Sequence, residues 1–238
     1  MPTPDSSTQL PGPGAPAPPE DDGLAAQLRG FGPAWWLSFV LVLAAALVSP
    51  GLAALVVLAW AHRSHTPWSD LGFVRPASWT RTILGGIALG AAFKLLMKAL
   101  VMPLLGAPPI NAAFHDLAHE PRAVPGFLFL LLFGAGFGEE TLFRGYLFER
   151  LGRLMGSGLP ARTATVLITS TLFAAAHIIT QGRYGAEQAF ITGAVFGTMF
   201  AATRRLPLIM VAHAAFDVTA YAIIYFDVET AVAHWIFR

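Results

Sequence analysis

The chain is 238 residues long, 55% hydrophobic and only 12% charged, with a formal net charge of +1 and a mean hydropathy of +0.59. A soluble domain carries about 25% charged residues, so half that share, together with 18 Phe, points to a membrane protein. No basic stripe exists to neutralise phosphates, which argues against a nucleic-acid partner, and the lack of Cys excludes disulfides, thiolate zinc sites and a Cys nucleophile.

In chain order, the first segment is a separate regime. Met1 to Asp22 contains seven prolines and the acidic run Glu20-Asp21-Asp22. It has neither the basic start nor the apolar stretch of a signal peptide. Residues 1–30 are therefore expected to be a disordered tail, and residues 31–238 a single transmembrane domain. A bilayer core of about 30 Å needs about 20 apolar residues per helix. Six segments qualify: Pro33–Ala61, Thr82–Leu105, Val124–Leu147, Thr163–Thr180, Ala186–Thr203 and Leu206–Phe226. The fold class expected is all-α, a polytopic bundle of about six spanning helices. The first segment contains Pro50-Gly51 and is read as one kinked helix, because each half alone is too short to span.

The arginines test the layout. With alternating spans, one side carries Arg63, Arg75, Arg81, Arg150, Arg153, Arg162, Arg204 and Arg205; the other carries Arg29, Arg122, Arg183 and Arg238. Eight against four follows the positive-inside rule, with both termini outward.

Ionisable groups at bilayer depth are costly and are functional candidates by default. The third segment contains Gly138-Glu139-Glu140-Thr141-Leu142-Phe143-Arg144. Arg144 lies four residues after Glu140, so the two share a helical face and can pair. Glu139 points elsewhere, about 100° around the helix, and is left free to exchange protons as a general base. The fourth segment contains Phe173-Ala174-Ala175-Ala176-His177, with small residues leaving room beside the imidazole. The sixth contains His213 and Asp217, four apart on one face. A group that merely hydrogen-bonds in the core is the plain alternative for each residue alone. Three helices that each bring carboxylate or imidazole to the membrane interior make a hydrolytic constellation instead. No HExxH helix is present. No Gly-x-Ser-x-Gly elbow supports a Ser or Thr nucleophile. Counted from the span ends, Glu139 lies roughly 8–12 Å from the basic side and His213 about 10 Å, while His177 comes out deeper, at ~16–20 Å. The site is expected to open toward the basic side.

On these residues the chain resembles the CPBP intramembrane proteases, which include CAAX prenyl endopeptidases and bacteriocin-processing or immunity proteins. Glu139-Glu140-x-x-x-Arg144, Phe173-x-x-x-His177 and His213-x-x-x-Asp217 resemble its EExxxR, FxxxH and HxxxN/D motifs in order and spacing, and Asp70-Leu71-Gly72-Phe73 resembles an upstream Leu-Gly stretch. The resemblance covers about Leu71 to Tyr225. It implies that Glu139 activates the attacking water, that Glu140 assists while held by Arg144, and that His177, His213 and Asp217 position the water or stabilise the oxyanion. Glutamic-type and zinc-type mechanisms both stand for such proteins. A zinc or other divalent ion on Glu139, His177, His213 and Asp217 is therefore an open expectation, and no other cofactor is indicated. Expected partners are the lipid bilayer and a peptide or membrane-protein substrate. Nothing in the chain identifies a prenyl group. Its Ala, Arg and Pro content and compact size suggest the bacterial cytoplasmic membrane, with the site facing the cytoplasm.

Two other functions stand beside an endopeptidase. A non-catalytic scaffold or immunity protein of the same fold would keep its phenotype after Glu139→Gln. A transporter or proton channel would use Lys94, Lys98 and the Glu pair as a relay, although no inverted repeat is visible.

Overall fold

The computed structural model of the protein describes residues 23–237. Among these, every regular element is helical. Four helices are long and apolar enough to cross a membrane: Trp79–Leu104 (α4), Val124–Met155 (α5), Leu159–Thr203 and Leu206–Tyr225. Large side chains on their outer faces point away from the protein, as lipid-facing residues must; Ile179 is 90% exposed.

The helix Leu159–Thr203 has 45 residues and would be ~68 Å long if straight, more than twice the bilayer core. It is broken at Gly182, whose φ of 66° and ψ of −165° lie outside the helical region. A Cβ added at Gly193 would lie 3.1 Å from the Ser170 Cα, and one at Gly197 would lie 3.4 Å from Val166. Residues 170 and 193, and 166 and 197, are equidistant from the break, so the two halves lie side by side and antiparallel. They are α6 (159–181) and α7 (183–203), and they bear out the fourth and fifth expected spans. Leu206–Tyr225 is α8, and a short α9 (Glu229–Ala233) follows it.

The first apolar segment departs from expectation. It comprises two helices, Pro33–Val48 (α2) and Pro50–Arg63 (α3), separated by Ser49 in an extended conformation. A preceding helix, Gly23–Arg29 (α1), fixes their relative direction. Arg29 Nη1 donates to the Ser64 carbonyl at 2.7 Å, and Trp60 Nε1 donates to the Leu28 carbonyl at 3.3 Å. The 16 residues of α2 carry the chain ~24 Å into the bilayer, and the 14 of α3 bring it ~21 Å back. The start of α2 and the end of α3 could not otherwise meet. The segment is a helical hairpin that enters and leaves on one face, not the single kinked crossing expected.

The hairpin tip follows from its sequence. The Ser49 side chain accepts from the Leu52 N–H at 3.1 Å and caps α3, while Pro50 begins that helix at the position where its missing N–H costs nothing. Non-helical backbone at membrane depth is tolerated only against protein or a cavity. The tip meets this condition on α5, where a Cβ at Gly138 would come within 2.6 Å of the Gly51 nitrogen. Val42, Ala45, Ala53, Val57 and Trp60 are buried in one cluster with Tyr146 of α5.

This geometry also shifts two boundaries. α1 lies within residues expected to belong to the tail, and its Ala25 and Leu28 are buried; the tail up to Asp22 lies outside the described residues. Arg29 sits at the base of the hairpin beside Arg150, which donates to its carbonyl at 2.9 Å. It therefore joins the arginine-rich face, to which it was not assigned. That face also holds the loop around Gly72, whose carbonyl accepts from the Leu206 N–H, and the opposite face holds the contact from His119 N–H to the Tyr225 carbonyl.

Candidate active site

The helix that carries the Glu pair is not a regular α-helix. Leu130–Glu139 and Thr141–Tyr146 are wound as π-helix, a rare geometry that recurs at functional sites. The expected pair forms nonetheless. Arg144 Nη1 donates to Glu140 Oε1 at 2.9 Å, with both side chains essentially buried. The guanidinium lies over the Phe173 ring at 4.9 Å and near that of Phe196 at 6.0 Å, and it reaches the Gly193 carbonyl at 3.4 Å. Arg144 thus ties α5, α6 and α7 together.

His213 of α8 is the hub. Its Nδ1 lies 2.6 Å from Glu140 Oε1. Its Nε2 lies 3.5 Å from Asp217 Oδ2 and 3.7 Å from Glu139 Oε2. The imidazole stands between the rings of Phe173 and Phe196, at centroid distances of 5.9 and 5.5 Å. A carboxylate only accepts, so Glu140 holds the proton on Nδ1 and presents Nε2 outward. This is the orienting role that a buried acid plays behind a catalytic imidazole. His177 is fixed in a similar way: its Nδ1 lies 2.7 Å from the Phe173 carbonyl. The carbonyl also only accepts, so the proton sits on Nδ1 and Nε2 is the free end.

These groups border a cavity of about 200 Å³ lined by Glu139, His177, His213 and Asp217 among apolar side chains that include Phe173, Phe216 and Leu131. Glu140 and Arg144 are not in its wall; they stand behind His213. The structure thus brings all six expected residues together and divides them into four that face the cavity and two that support one of the four. His177, expected to lie deeper than Glu139, borders the same cavity.

The direction of the cavity corrects an expectation. From its floor at Glu139, Phe173 and His213, the lining passes through Lys94, Gln188 and Asp217 to Asn111, Phe114, Phe127, Gln181 and Ile224. Those last residues lie at the end of the bundle opposite the arginine-rich face. The cavity extends from the site toward the face opposite the basic side, whereas an opening toward the basic side was expected. Counting depth along straight spans missed this, because it says how far a residue lies from each face and not which way the bundle is hollow.

Zinc requires three or four donors converging on one point at about 2 Å. Among the described residues, no three His, Asp or Glu side chains are so arranged. His213 turns Nδ1 to Glu140 at 2.6 Å, which leaves only its Nε2 facing the cavity. As folded, the described side chains form no group of three that would hold an ion.

The cavity wall includes residues that were not singled out as site residues from the sequence, among them Pro50 at the hairpin tip, Gln188 of α7 and Lys94 of α4. Lys94 carried a signal, as a charge inside a span, but its grouping with Lys98 obscured their separate environments. Lys98 pairs with the buried Glu229 at 3.2 Å and donates to the Pro109 carbonyl, whereas Lys94 faces the cavity.

Residues 121–219 match the family model of type II CAAX prenyl endopeptidase Rce1-like proteins. All six residues of the three motifs fall inside the matched stretch. No curated protein and no solved structure matches the chain.

Proposed function

We infer, from a match that supports membership of the CPBP/CAAX protease family and from the geometry of the cavity, that this integral membrane protein is an intramembrane endopeptidase using a water activated by Glu139. The observation that carries the reading is one apolar-walled cavity bordered by Glu139, His177, His213 and Asp217. The family implies a hydrolase of peptide bonds; the roles that follow are the proposal.

A water held between the Glu139 carboxylate and His177 Nε2 attacks the scissile carbonyl. The new O–C bond forms as Glu139 takes the water proton, and the carbonyl π electrons move to oxygen. His213, clamped by Glu140 and Arg144, stabilises that oxygen through Nε2–H in its doubly protonated form, with Asp217 fixing the ring from the cavity side. Collapse breaks the C–N bond as Glu139 returns the proton to the leaving nitrogen. General-base catalysis of this kind is worth about 10²–10⁴ in rate, and an oxyanion donor about 10²–10³. The substrate is a peptide or membrane-associated protein segment short enough to thread the cavity. Because the arginine-rich face is the cytoplasmic one by the positive-inside rule, substrate reaches the site from the other side of a bacterial cytoplasmic membrane.

The test is cleavage of a quenched peptide library by detergent-purified protein. Wild type should cleave, and Glu139→Gln should lose at least a hundredfold with its melting temperature preserved. Chelator should leave the rate unchanged. Equal cleavage by Glu139→Gln would overturn the assignment, and loss with chelator would return a metal to the mechanism.

A further inference from the structure

Lys94 takes no part in the chemistry above, yet it is 6% exposed and lines the cavity. It also lines an adjoining cavity of about 170 Å³, with Asn111, Gln181 and Gln188 common to both. Lys94 therefore stands where the two spaces meet, between the acidic floor and the mouth.

Its partners are unusual for a buried ammonium. The group has three N–H donors. One goes to Gln188 Oε1 at 3.0 Å, and the Phe216 ring lies 4.9 Å away. Among the described residues no carboxylate is within ion-pair distance, and the acids that act on it, Asp217 and Glu229, do so from further away. Lys98, one turn further along, has Glu229. Keeping a charge out of water without a counter-ion costs several kcal/mol per group, and bundles retain such charges where a ligand or pathway uses them. Gln188 adds to the argument. With Oε1 occupied by Lys94, its amide N–H₂ remains free to donate, so the pair presents ammonium and amide donors side by side. The floor, by contrast, carries Glu139, with Asp217 between it and Lys94 along the same wall. The cavity is polarised: negative where the bond is cut, positive part-way to the mouth.

We propose that Lys94 and Gln188 form a subsite for a carboxylate of the peptide substrate, which anchors the chain while the bond to be cut lies at Glu139. This rests on the endopeptidase reading. The carboxylate comes from a chain terminus or from an Asp or Glu side chain; both meet the same donors.

The test uses three forms of one cleaved peptide: free C-terminal acid, C-terminal amide, and amide with an acidic residue placed internally. Full-length wild type, Lys94→Met and Lys94→Arg are compared. A hydrogen bond to a charged group is worth about tenfold to a hundredfold in binding. Wild type should prefer one of the two carboxylate forms over the plain amide by that factor, through KM with kcat little changed. Lys94→Met should erase the preference by weakening the acid alone, and Lys94→Arg should keep part of it. Which carboxylate form is preferred identifies the source. Calorimetric binding of the same peptides to Glu139→Gln repeats the comparison without turnover, so absent cleavage counts against the endopeptidase reading and not the subsite. Equal affinity for all three forms, or a preference that survives in Lys94→Met, would overturn the subsite. Melting temperatures guard against misfolding: loss of a cation that lacks a counter-ion should leave that of Lys94→Met unchanged or raised.

Discussion

Replacing Arg144 by methionine keeps the length of the side chain and removes its charge. In the wild type the guanidinium donates to Glu140 Oε1, a carboxylate with no solvent exposure, and stacks on Phe173. After the change, Glu140 keeps only His213 as a partner, and Glu140 Oε2 is already buried with no hydrogen-bond partner among the described residues. Breaking a buried pair from one side costs about 3–5 kcal/mol, because the remaining charge is uncompensated. For a chain of this size each kcal/mol moves Tm by about 2–4 °C, so a fall on the order of 6–20 °C is expected. Adding Glu140→Leu to Arg144→Met removes the orphaned charge and should recover most of that stability. It should not recover cleavage, because His213 then lacks the carboxylate that orients its ring and balances its charge. The assay pairs thermal unfolding in detergent with peptide cleavage for the two single variants and the double. A fall under about 2 °C in Arg144→Met, or cleavage restored in the double variant, would refute the view that Arg144 and Glu140 act by holding His213.

Three further outcomes follow from the packing. Gly138→Val should push the hairpin tip away from the Glu pair, because even a Cβ would lie 2.6 Å from backbone; a cost of about 1–3 kcal/mol and weaker cleavage should appear together in unfolding and peptidase assays. Lys98→Met should destabilise by roughly 3 kcal/mol by exposing buried Glu229 to the loss of its counter-ion, whereas Lys94→Met should not, and thermal scans of the two give the comparison directly. Single cysteines at Trp68 and Asn111, in this cysteine-free chain, should be labelled by an impermeant thiol reagent from opposite sides of sealed vesicles, and labelling from one side would refute the topology.

The chain fold was largely legible in its sequence where hydropathy and charge act over a whole helix. α4, α5, α6, α7 and α8 follow the expected apolar segments, and Gly182 between α6 and α7 lies where the sequence left a gap. The first segment misled because length alone does not distinguish one thirty-residue crossing from two halves that double back; the answer lay in long-range contacts from Leu28 and Arg29 that no local pattern displays. The site was legible to the extent that intramembrane charge is rare: Glu139, Glu140, Arg144, His177, His213 and Asp217 were found by that cost and by motif. The i,i+4 spacing foretold the Glu140–Arg144 contact. Spacing within one helix could not show that His213 of another helix would bind the same oxygen. Nor could it show the π winding of α5, the backward bond of His177 to Phe173, or the position of Lys94 relative to Gln188, since each depends on how helices are rotated against their neighbours.

The hairpin of α2 and α3 adds no net crossing, and so it sets a parity. Five passes follow it, from α4 to α8, which puts Gly23 and Glu229 in different compartments. The start of α1 therefore lies on the arginine-rich face, while the cavity reaches toward the other. The base of the hairpin and the far end of the cavity thus lie toward opposite faces, and what joins them is the hairpin tip, which rests on the residue next to Glu139.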